Sequence, residues 1–100
     1  MFFINVIYSY RNIVAICDSE LLGKKFESGK FQLDIKESFY GKKELFSENE
    51  VIGIMKKMQM EDATFNIVGK NSINAAIKAG IIKEEGIKEI QGVQFALVLL

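Results

Sequence analysis

Residues 65–80 of the chain read FNIVGKNSINAAIKAG, and this stretch predicts a buried strand, a glycine turn and a short helix. Phe65, Ile67 and Val68 supply aromatic and β-branched side chains, which favour a strand. Gly69 then ends that strand, because glycine weakens strand structure and opens a turn.

The helix of this unit has signals at both ends. Asn71 or Ser72 is the predicted N-cap, because a side-chain oxygen there accepts a free backbone amide of the first turn. Gly80 stands where a left-handed residue ends a helix. Apolar residues recur between them at helical spacing: Ile73, Ala76 and Ile77.

Lys70 lies at the turn, where the first amides of a helix have no partner within the helix. A helix N-terminus carries about half a positive charge, and an anion there gains about 0.3–1 kcal/mol. The pattern predicts a weak anion site at most, and a plain connection with a solvated lysine is the alternative. Residues 69–72 lack the spacing of a P-loop and of the dinucleotide fingerprint, so nucleotide hydrolysis is not inferred.

The composition predicts one folded domain without net charge. Among 100 residues, 49% are hydrophobic and 26% are charged, which is enough apolar surface for a core. Thirteen basic and thirteen acidic residues cancel, and this argues against a general nucleic-acid or membrane binder. A single cysteine permits no internal disulfide and fits a reducing compartment. With no signal-peptide or membrane-spanning pattern at the N-terminus, the predicted location is the cytoplasm.

Periodicity along residues 1–100 predicts a single α+β domain with a mixed sheet of five or six strands and about three helices. The predicted strands cover residues 3–8, 12–17, 31–35, 65–68, 87–90 and 93–99, and residues 39–43 form a turn or loop. The predicted helices cover residues 20–26, 47–60 and 71–79. Asp18 and Ser19 are expected to cap the first helix, and Ser47 and Glu50 have the spacing of a capping box that opens the second.

The sequence offers little for catalysis. It has no histidine, so the usual general base and the commonest metal ligand are missing. Cys17 lies in an apolar strand without a cationic neighbour, and we therefore expect an inert core thiol. Adjacent carboxylates such as Glu84 and Glu85 are ordinary surface charges. The prediction is a protein that is not an enzyme and that has no cofactor or metal.

Three blocks of the sequence resemble one family. Residues 17–41 (CDSELLGKKFESGKFQLDIKESFYG), 65–82 (FNIVGKNSINAAIKAGII) and 90–99 (IQGVQFALVL) are similar to the archaeal family called domain of unknown function 424. That family is described as RNA-binding, so the resemblance implies a small RNA-binding protein linked to translation or the ribosome. The resemblance also implies signature positions, without a role for any of them: Tyr40, Gly41, Asn66, Gly69 and Lys70.

Two departures from the family pattern bear on function. The loop after Tyr40 often has a second glycine and then an acid in the family, whereas this chain has Lys42, Lys43 and Glu44. The terminal block often reads Gly-Val-Pro-His, whereas residues 92–95 here read GVQF. The missing histidine fits a binding role better than a catalytic one.

The predicted RNA site combines lysines that reach phosphate with an aromatic ring that stacks an unpaired base. Such stacking is worth about 1–3 kcal/mol per base. The predicted RNA-binding residues are Lys24, Lys25, Tyr40, Lys42, Lys43, Gly69, Lys70, Asn71 and Ser72. Packing in the core is the alternative for the aromatic pair; it is favoured for Phe39 and left open for Tyr40.

The predicted partner is ribosomal or transfer RNA. The alternative function is a non-enzymatic subunit that docks on a ribosomal or other protein assembly. Such a subunit would dock through an exposed apolar strand or through the methionine-bearing helix at residues 47–60.

Overall fold

A computed structural model describes residues 1–41 and 43–99 of the chain. Within these ranges the strands are β1 (Phe2–Ile7), β2 (Ile13–Asp18), β3 (Lys25–Ser28), β4 (Phe31–Asp34), β5 (Thr64–Val68), β6 (Lys88–Ile90) and β7 (Val93–Val98). The helices are α1 (Glu37–Tyr40), α2 (Glu48–Met60) and α3 (Lys70–Lys78).

The main sheet has five strands in the order β1-β2-β5-β7-β6, and β3 pairs with β4 in a separate hairpin. β2 and β5 run parallel, while the other neighbours in the sheet are antiparallel. The parallel pair sets Cys17 opposite Val68, so both strands end at the same edge of the sheet. The prediction of one α+β domain with a mixed sheet and three helices is confirmed.

The two faces of the sheet are covered by different elements. On one face, α2 and α3 pack over alternate residues of β2 and β5, among them Val14, Ile16 and Phe65. The opposite residues of the same strands include Ala15 and Cys17, and the β3–β4 hairpin and α1 pack over these. This arrangement follows from the strand repeat of two, which sends successive side chains to opposite faces.

Two turn motifs of the sequence form as expected. The Ser47 hydroxyl accepts a hydrogen bond from the Glu50 amide at 3.3 Å, and the Glu50 carboxylate accepts one from the Ser47 amide at 2.8 Å. This reciprocal capping box opens α2 and is confirmed. The predicted hairpin of β6 and β7 turns at Gln91 and Gly92, which have φ angles of 50° and 80°. Two positive φ angles define the tight hairpin turn whose twist matches the strands.

The predicted helix at residues 20–26 is wrong. A single 3-10 turn covers Ser19–Leu21, and the chain becomes extended at Leu22. Gly23 then takes a φ of 86°, and β3 begins at Lys25. Of the apolar residues in this segment, Leu21 ends the 3-10 turn, Leu22 follows it, and only Phe26 lies in the strand, where it packs inward between exposed neighbours. Pairing with β4 outweighs the local helical pattern.

Two further local predictions need correction. Phe39 and Tyr40 lie in α1, a single helical turn that ends at Gly41, and not in a loop; a segment this short carries no periodicity. The N-cap of α3 is Gly69, so neither Asn71 nor Ser72 caps the helix, and both lie within its first turn. Among residues 1–41 and 43–99, no helix is long and apolar enough to cross a membrane.

The glycines of the helical layer lead to a stability prediction. Gly53 lies inside α2, and an added Cβ would meet nothing within 4 Å. Gly53→Ala should raise the free energy of unfolding by about 0.5–1 kcal/mol, because glycine loses more backbone entropy in a helix than alanine does. Urea denaturation measures the change.

Gly80→Ala is the matched control, because an added Cβ there also meets open space but the φ angle is 77°. This substitution should lower the free energy of unfolding by about 1 kcal/mol, since a side chain is disfavoured in the left-handed region. Equal shifts of both variants in the same direction would contradict this account.

Candidate functional site

The turn between β5 and α3 already holds an anion, the carboxylate of Asp18. Asp18 Oδ2 accepts a hydrogen bond from the Asn71 amide at 3.1 Å. Asp18 Oδ1 accepts two more at 2.7 Å, from the amide and the hydroxyl of Ser72. Asp18 is 4% exposed, and it caps α3 rather than the predicted helix at residues 20–26. A phosphate could reach these two amides only by displacing the carboxylate.

Gly69 is required by this contact. Its φ angle is 107°, and a Cβ built there would lie 2.3 Å from the Asp18 side-chain carbon. No side chain fits so close to another heavy atom, so the glycine makes room for the carboxylate at the helix N-terminus. The signature position Gly69 therefore has a structural explanation. The exposed Lys70 side chain beside it remains available to a ligand.

Tyr40 is held on the other face of the sheet. The Asn5 side-chain amide donates a hydrogen bond to the Phe39 carbonyl at 2.8 Å, which fixes α1 against β1. Tyr40 then packs with Ala15 and Cys17 and is 4% exposed. The Phe39 and Tyr40 rings meet edge to face, with centroids 5.2 Å apart. The idea that the Tyr40 ring stacks a base is wrong, because its faces are covered by the core.

A groove of about 710 Å³ opens beside this tyrosine, between α1, β4 and the sheet. Its lining comprises Gln32, Leu33, Asp34, Lys36, Ser38, Phe39, Tyr40 and Asn66. Asp34 and Lys36 form an ion pair at 3.9 Å, which balances the charge of the rim. The groove thus brings together Tyr40 and Asn66, two of the signature positions implied by the family resemblance.

The Tyr40 hydroxyl and the Asn66 side-chain amide lie at the groove. Within residues 1–41 and 43–99, neither group has a hydrogen-bond partner, yet no fully buried side-chain polar atom there lacks one. The Tyr40 hydroxyl therefore reaches the solvent of the groove although the ring is buried. Burial, and then the charge of the Cys17 thiolate, raise the pKa of Tyr40 well above its ordinary value. The hydroxyl keeps its proton and can donate a hydrogen bond.

The predicted lysines are spread over the surface. Lys24 and Lys70 are exposed, whereas Lys25 lies 3.7 Å from Glu27 in an ion pair. Lys43 lines a second hollow, of about 470 Å³, together with Glu37 and Glu44 on the other side of α1. Lys42 lies outside the described residues. Of the predicted set, Tyr40 alone lines the groove within the part of the chain that the structure describes.

The sheet face beside the groove is covered only in part. We call the uncovered part the open sheet face and define it by Ile7, Ile13, Asn66 and Leu97. Leu97 is 55% exposed, although it lies opposite Asn66 within the sheet. Periodicity does not separate this region from a covered face, because its apolar residues alternate as core residues do. Polar residues at Asn5 and Asn66 are the only sequence signal of the opening.

Cys17 is not part of the groove chemistry. It is fully buried, and burial together with the neighbouring Asp18 charge raises its pKa from 9.0 to about 12. The thiol is therefore protonated and unreactive at neutral pH, as expected of a core cysteine. Within the described ranges, no three histidine, cysteine, aspartate or glutamate residues come together as a metal site.

Comparisons with known proteins agree with the fold. The family model described as "Protein of unknown function (DUF424)" matches residues 8–100. A crystal structure described as that of an uncharacterized conserved protein from Methanopyrus kandleri has a TM-score of 0.84 and 22% sequence identity to this chain. The match covers 97% of this chain and 89% of that one, and at this identity the likeness is one of fold. No curated protein matches the chain.

The contact between Asp18 and Gly69 can be tested by a double-mutant cycle. Asp18→Ala should cost about 2–3 kcal/mol of unfolding free energy, because α3 loses its cap and the Ser72 hydroxyl is left buried. Gly69→Ala should cost about 3 kcal/mol in the native background, since it adds both a clash and backbone strain.

In the Asp18→Ala background, Gly69→Ala should cost only about 1–2 kcal/mol, the strain of the left-handed backbone. Urea denaturation of the four proteins gives the coupling. Strict additivity would contradict a direct contact between the two residues.

Burial of Cys17 predicts a loss of stability in alkali. In the unfolded chain the thiol ionises near pH 9.0, but in the folded protein it ionises only near pH 12. Its contribution is therefore complete below pH 9.0 and is lost as the pH rises towards about 12. Between these pH values the free energy of unfolding should fall less steeply for Cys17→Ala than for the parent protein, when unfolding is followed by circular dichroism. Parallel curves would argue against the raised pKa.

Proposed function

The chain belongs to the DUF424 family, and on that premise we propose that it is a non-catalytic RNA-binding protein whose interface is the groove and the open sheet face. The observation that supports this most is the pair of polar groups in the groove. The Tyr40 hydroxyl and the Asn66 amide line one open groove without a partner among the described residues. A ligand with matching donors and acceptors satisfies both.

Single-stranded RNA fits these groups better than a duplex does. Unpaired nucleotides expose base edges and 2′-hydroxyls, which carry both hydrogen-bond donors and acceptors. Tyr40 supplies a donor and Asn66 supplies one of each kind. A duplex would contact the protein mainly through its phosphates, and such contacts need net positive charge on the protein. The groove lacks this charge because Asp34 and Lys36 form an ion pair at its rim.

The lysines have a secondary role in this proposal. The exposed side chains of Lys24, Lys43 and Lys70 reach phosphates outside the groove and add a modest electrostatic attraction. With no net charge on the chain, affinity comes chiefly from base and sugar contacts. The partner we propose is ribosomal or transfer RNA in the cytoplasm, in a step linked to translation.

A second candidate function is docking on a protein assembly. One observation favours it: Leu97 is 55% exposed on the open sheet face, and the half-buried Ile7 and Ile13 extend this apolar strip on the other side of Asn66, outside the two core clusters. Apolar surface without cover is typical of interaction sites. The two functions make different demands on the same face, because RNA needs the polar groove whereas a protein needs the strip.

Substitutions in the groove test the RNA proposal. Tyr40→Phe and Asn66→Ala should each weaken RNA binding by about 3- to 10-fold, the worth of one net hydrogen bond. Fluorescence anisotropy with labelled transfer RNA and ribosomal RNA fragments at one fixed salt concentration measures this. Asn74→Ala is the matched control, because Asn74 is exposed on α3 and makes no side-chain hydrogen bond among the described residues.

Charge and apolar variants separate the two candidates. Replacing Lys43 and Lys70 with glutamate should lower the slope of log affinity against log salt by about one for each lysine that reaches a phosphate. Leu97→Ala removes an apolar contact but adds no charge, so it should leave RNA affinity within a factor of about two, because the polar groups of the groove supply the specific contacts, but it should weaken a protein complex by about tenfold or more. The proposed interface is refuted if neither Tyr40→Phe nor Asn66→Ala lowers the affinity for RNA.

A further inference from the structure

β1 lies at one edge of the main sheet, and most of its outer side is unpaired. The backbone groups of Phe2 point away from β2, because they exchange hydrogen bonds of 3.0 and 2.9 Å with Phe46. Alternate residues of a strand direct their backbone groups to the same side, so those of Ile4 and Val6 also point outward. Within residues 1–41 and 43–99, these outward groups have no hydrogen-bond partner. The edge of β1 therefore offers backbone donors and acceptors to a further strand.

The two edges of the main sheet differ in how well they are protected. β6, at the other edge, has only three residues, and Lys88 and Glu89 are charged. The adjacent Gln91 side chain also donates a hydrogen bond to the Glu27 carbonyl of the β3–β4 hairpin. By contrast, residues 2–8 (FFINVIY) contain no charged residue. Short strands and charges prevent an edge from pairing with another chain, and β1 lacks both kinds of protection.

α2 lies over β1 and presents one stripe of side chains towards this edge. The stripe consists of Glu50, Gly53, Ile54 and Lys57, whose spacing of three and four residues places them on one face of the helix. Together with Phe46 and a neighbouring asparagine they line a hollow of about 380 Å³. We call these four residues the edge stripe.

The edge stripe is complementary to itself in one orientation. A second helix that runs antiparallel, centred between Gly53 and Ile54, sets Glu50 against Lys57 of the second copy at both ends of the contact. Lys57 is exposed and has no ion-pair partner among the residues that the structure describes. Glu50 uses one carboxylate oxygen in the capping box, so its other oxygen can meet a lysine. A parallel helix would instead set like charges against each other.

One two-fold axis brings together both the strands and the helices. At one end of β1, Phe2 pairs with Phe46, just before α2, and at the other end Tyr10 and Glu61 line one hollow. The midpoint between Phe2 and Tyr10 is Val6, and the midpoint between Phe46 and Glu61 is the centre of the edge stripe. Helices pack about 8–10 Å apart, roughly twice the strand spacing, so a helix pair can close over a strand pair.

We propose that the chain forms a two-fold symmetric dimer in which β1 pairs antiparallel with β1 of a second copy and the two edge stripes pack together. Val6 then pairs with Val6 of the second copy, and the two five-stranded sheets become one continuous sheet. Both α2 helices lie on one side of this sheet, and both open sheet faces lie on the other. This inference is independent of the proposed RNA function, because it uses a different edge and a different face.

The mass of the full-length protein and the exchange of one amide test the dimer. Sedimentation velocity between about 1 μM and 1 mM should show a rise from the monomer mass of 11.3 kDa to twice that value. The Val6 amide should exchange rapidly with solvent in the monomer and be protected in the dimer, as measured by NMR. A monomer at every concentration overturns the proposal and leaves the edge to a strand of another protein. A dimer with an unprotected Val6 amide also overturns it.

Charge reversal tests the arrangement of the helices. Lys57→Glu sets two carboxylates against each other at both ends of the contact, and it should raise the dissociation constant of the dimer about tenfold or more. Lys56→Glu is the matched control, because Lys56 is exposed on α2 but does not line the hollow. Its dissociation constant should change less than about threefold. Equal effects of the two lysine variants overturn the proposed packing of the edge stripes.

A mixture of two variants identifies the antiparallel orientation. Glu50→Lys should also weaken the dimer, because two lysines then face each other. An equimolar mixture of Glu50→Lys and Lys57→Glu should form a heterodimer about as tight as the parent dimer, since every carboxylate meets a lysine again. Circular dichroism checks that Glu50→Lys is folded, because it loses part of the capping box. A mixture of folded variants that stays monomeric overturns the proposal.

Discussion

The carboxylate of Asp18 joins the two halves of this fold. It belongs to β2, but its three hydrogen bonds go to the backbone and hydroxyl groups at the start of α3. The parallel register of β2 with β5 brings the two ends together at one edge of the sheet, and Gly69 leaves the space between them. The position of α3 over the sheet, and so the closed helical face, depends on this contact.

The two faces of the sheet are covered to different extents. The helices bury the central residues of their face, such as Ile16 and Phe65, while α1 and the β3–β4 hairpin cover the part of the opposite face that contains Cys17, Val68 and Phe95. Tyr40 stands at the border between the covered and uncovered parts, with its ring in the core and its hydroxyl in the groove. An interface placed there rests on a rigid sheet, which holds polar groups in fixed positions before any ligand arrives.

Sequence patterns predicted most of the architecture but little of the site. Local sequence determines three kinds of element that were predicted: the hairpins, the capping box at Ser47 and the strand–helix unit at residues 65–80. The false helix at residues 20–26 and the misplaced role of Asp18 have a different origin. The role of Asp18 depends on hydrogen bonds to the start of α3, 53 residues away in the chain at Asn71, and β3 depends on its pairing with the neighbouring strand β4. The helical periodicity of a single segment records neither interaction. The open sheet face was also missed, because apolar alternation looks alike on covered and uncovered strands.

The route of the chain between β2 and β5 has a consequence for the kinetics of folding. Asp18 and Asn71 are 53 residues apart, and the intervening segment holds the β3–β4 hairpin, α1 and α2. Hairpins such as β1–β2 close short loops and form early, whereas the central parallel pair must close the longest loop among the strand pairs of the main sheet. Rates fall as the sequence separation of contacts grows, so closure of this pair sets the pace at which the domain folds. The start of α3 gains its anion only at that late step, and until then the edge of β5 is open to association with other chains.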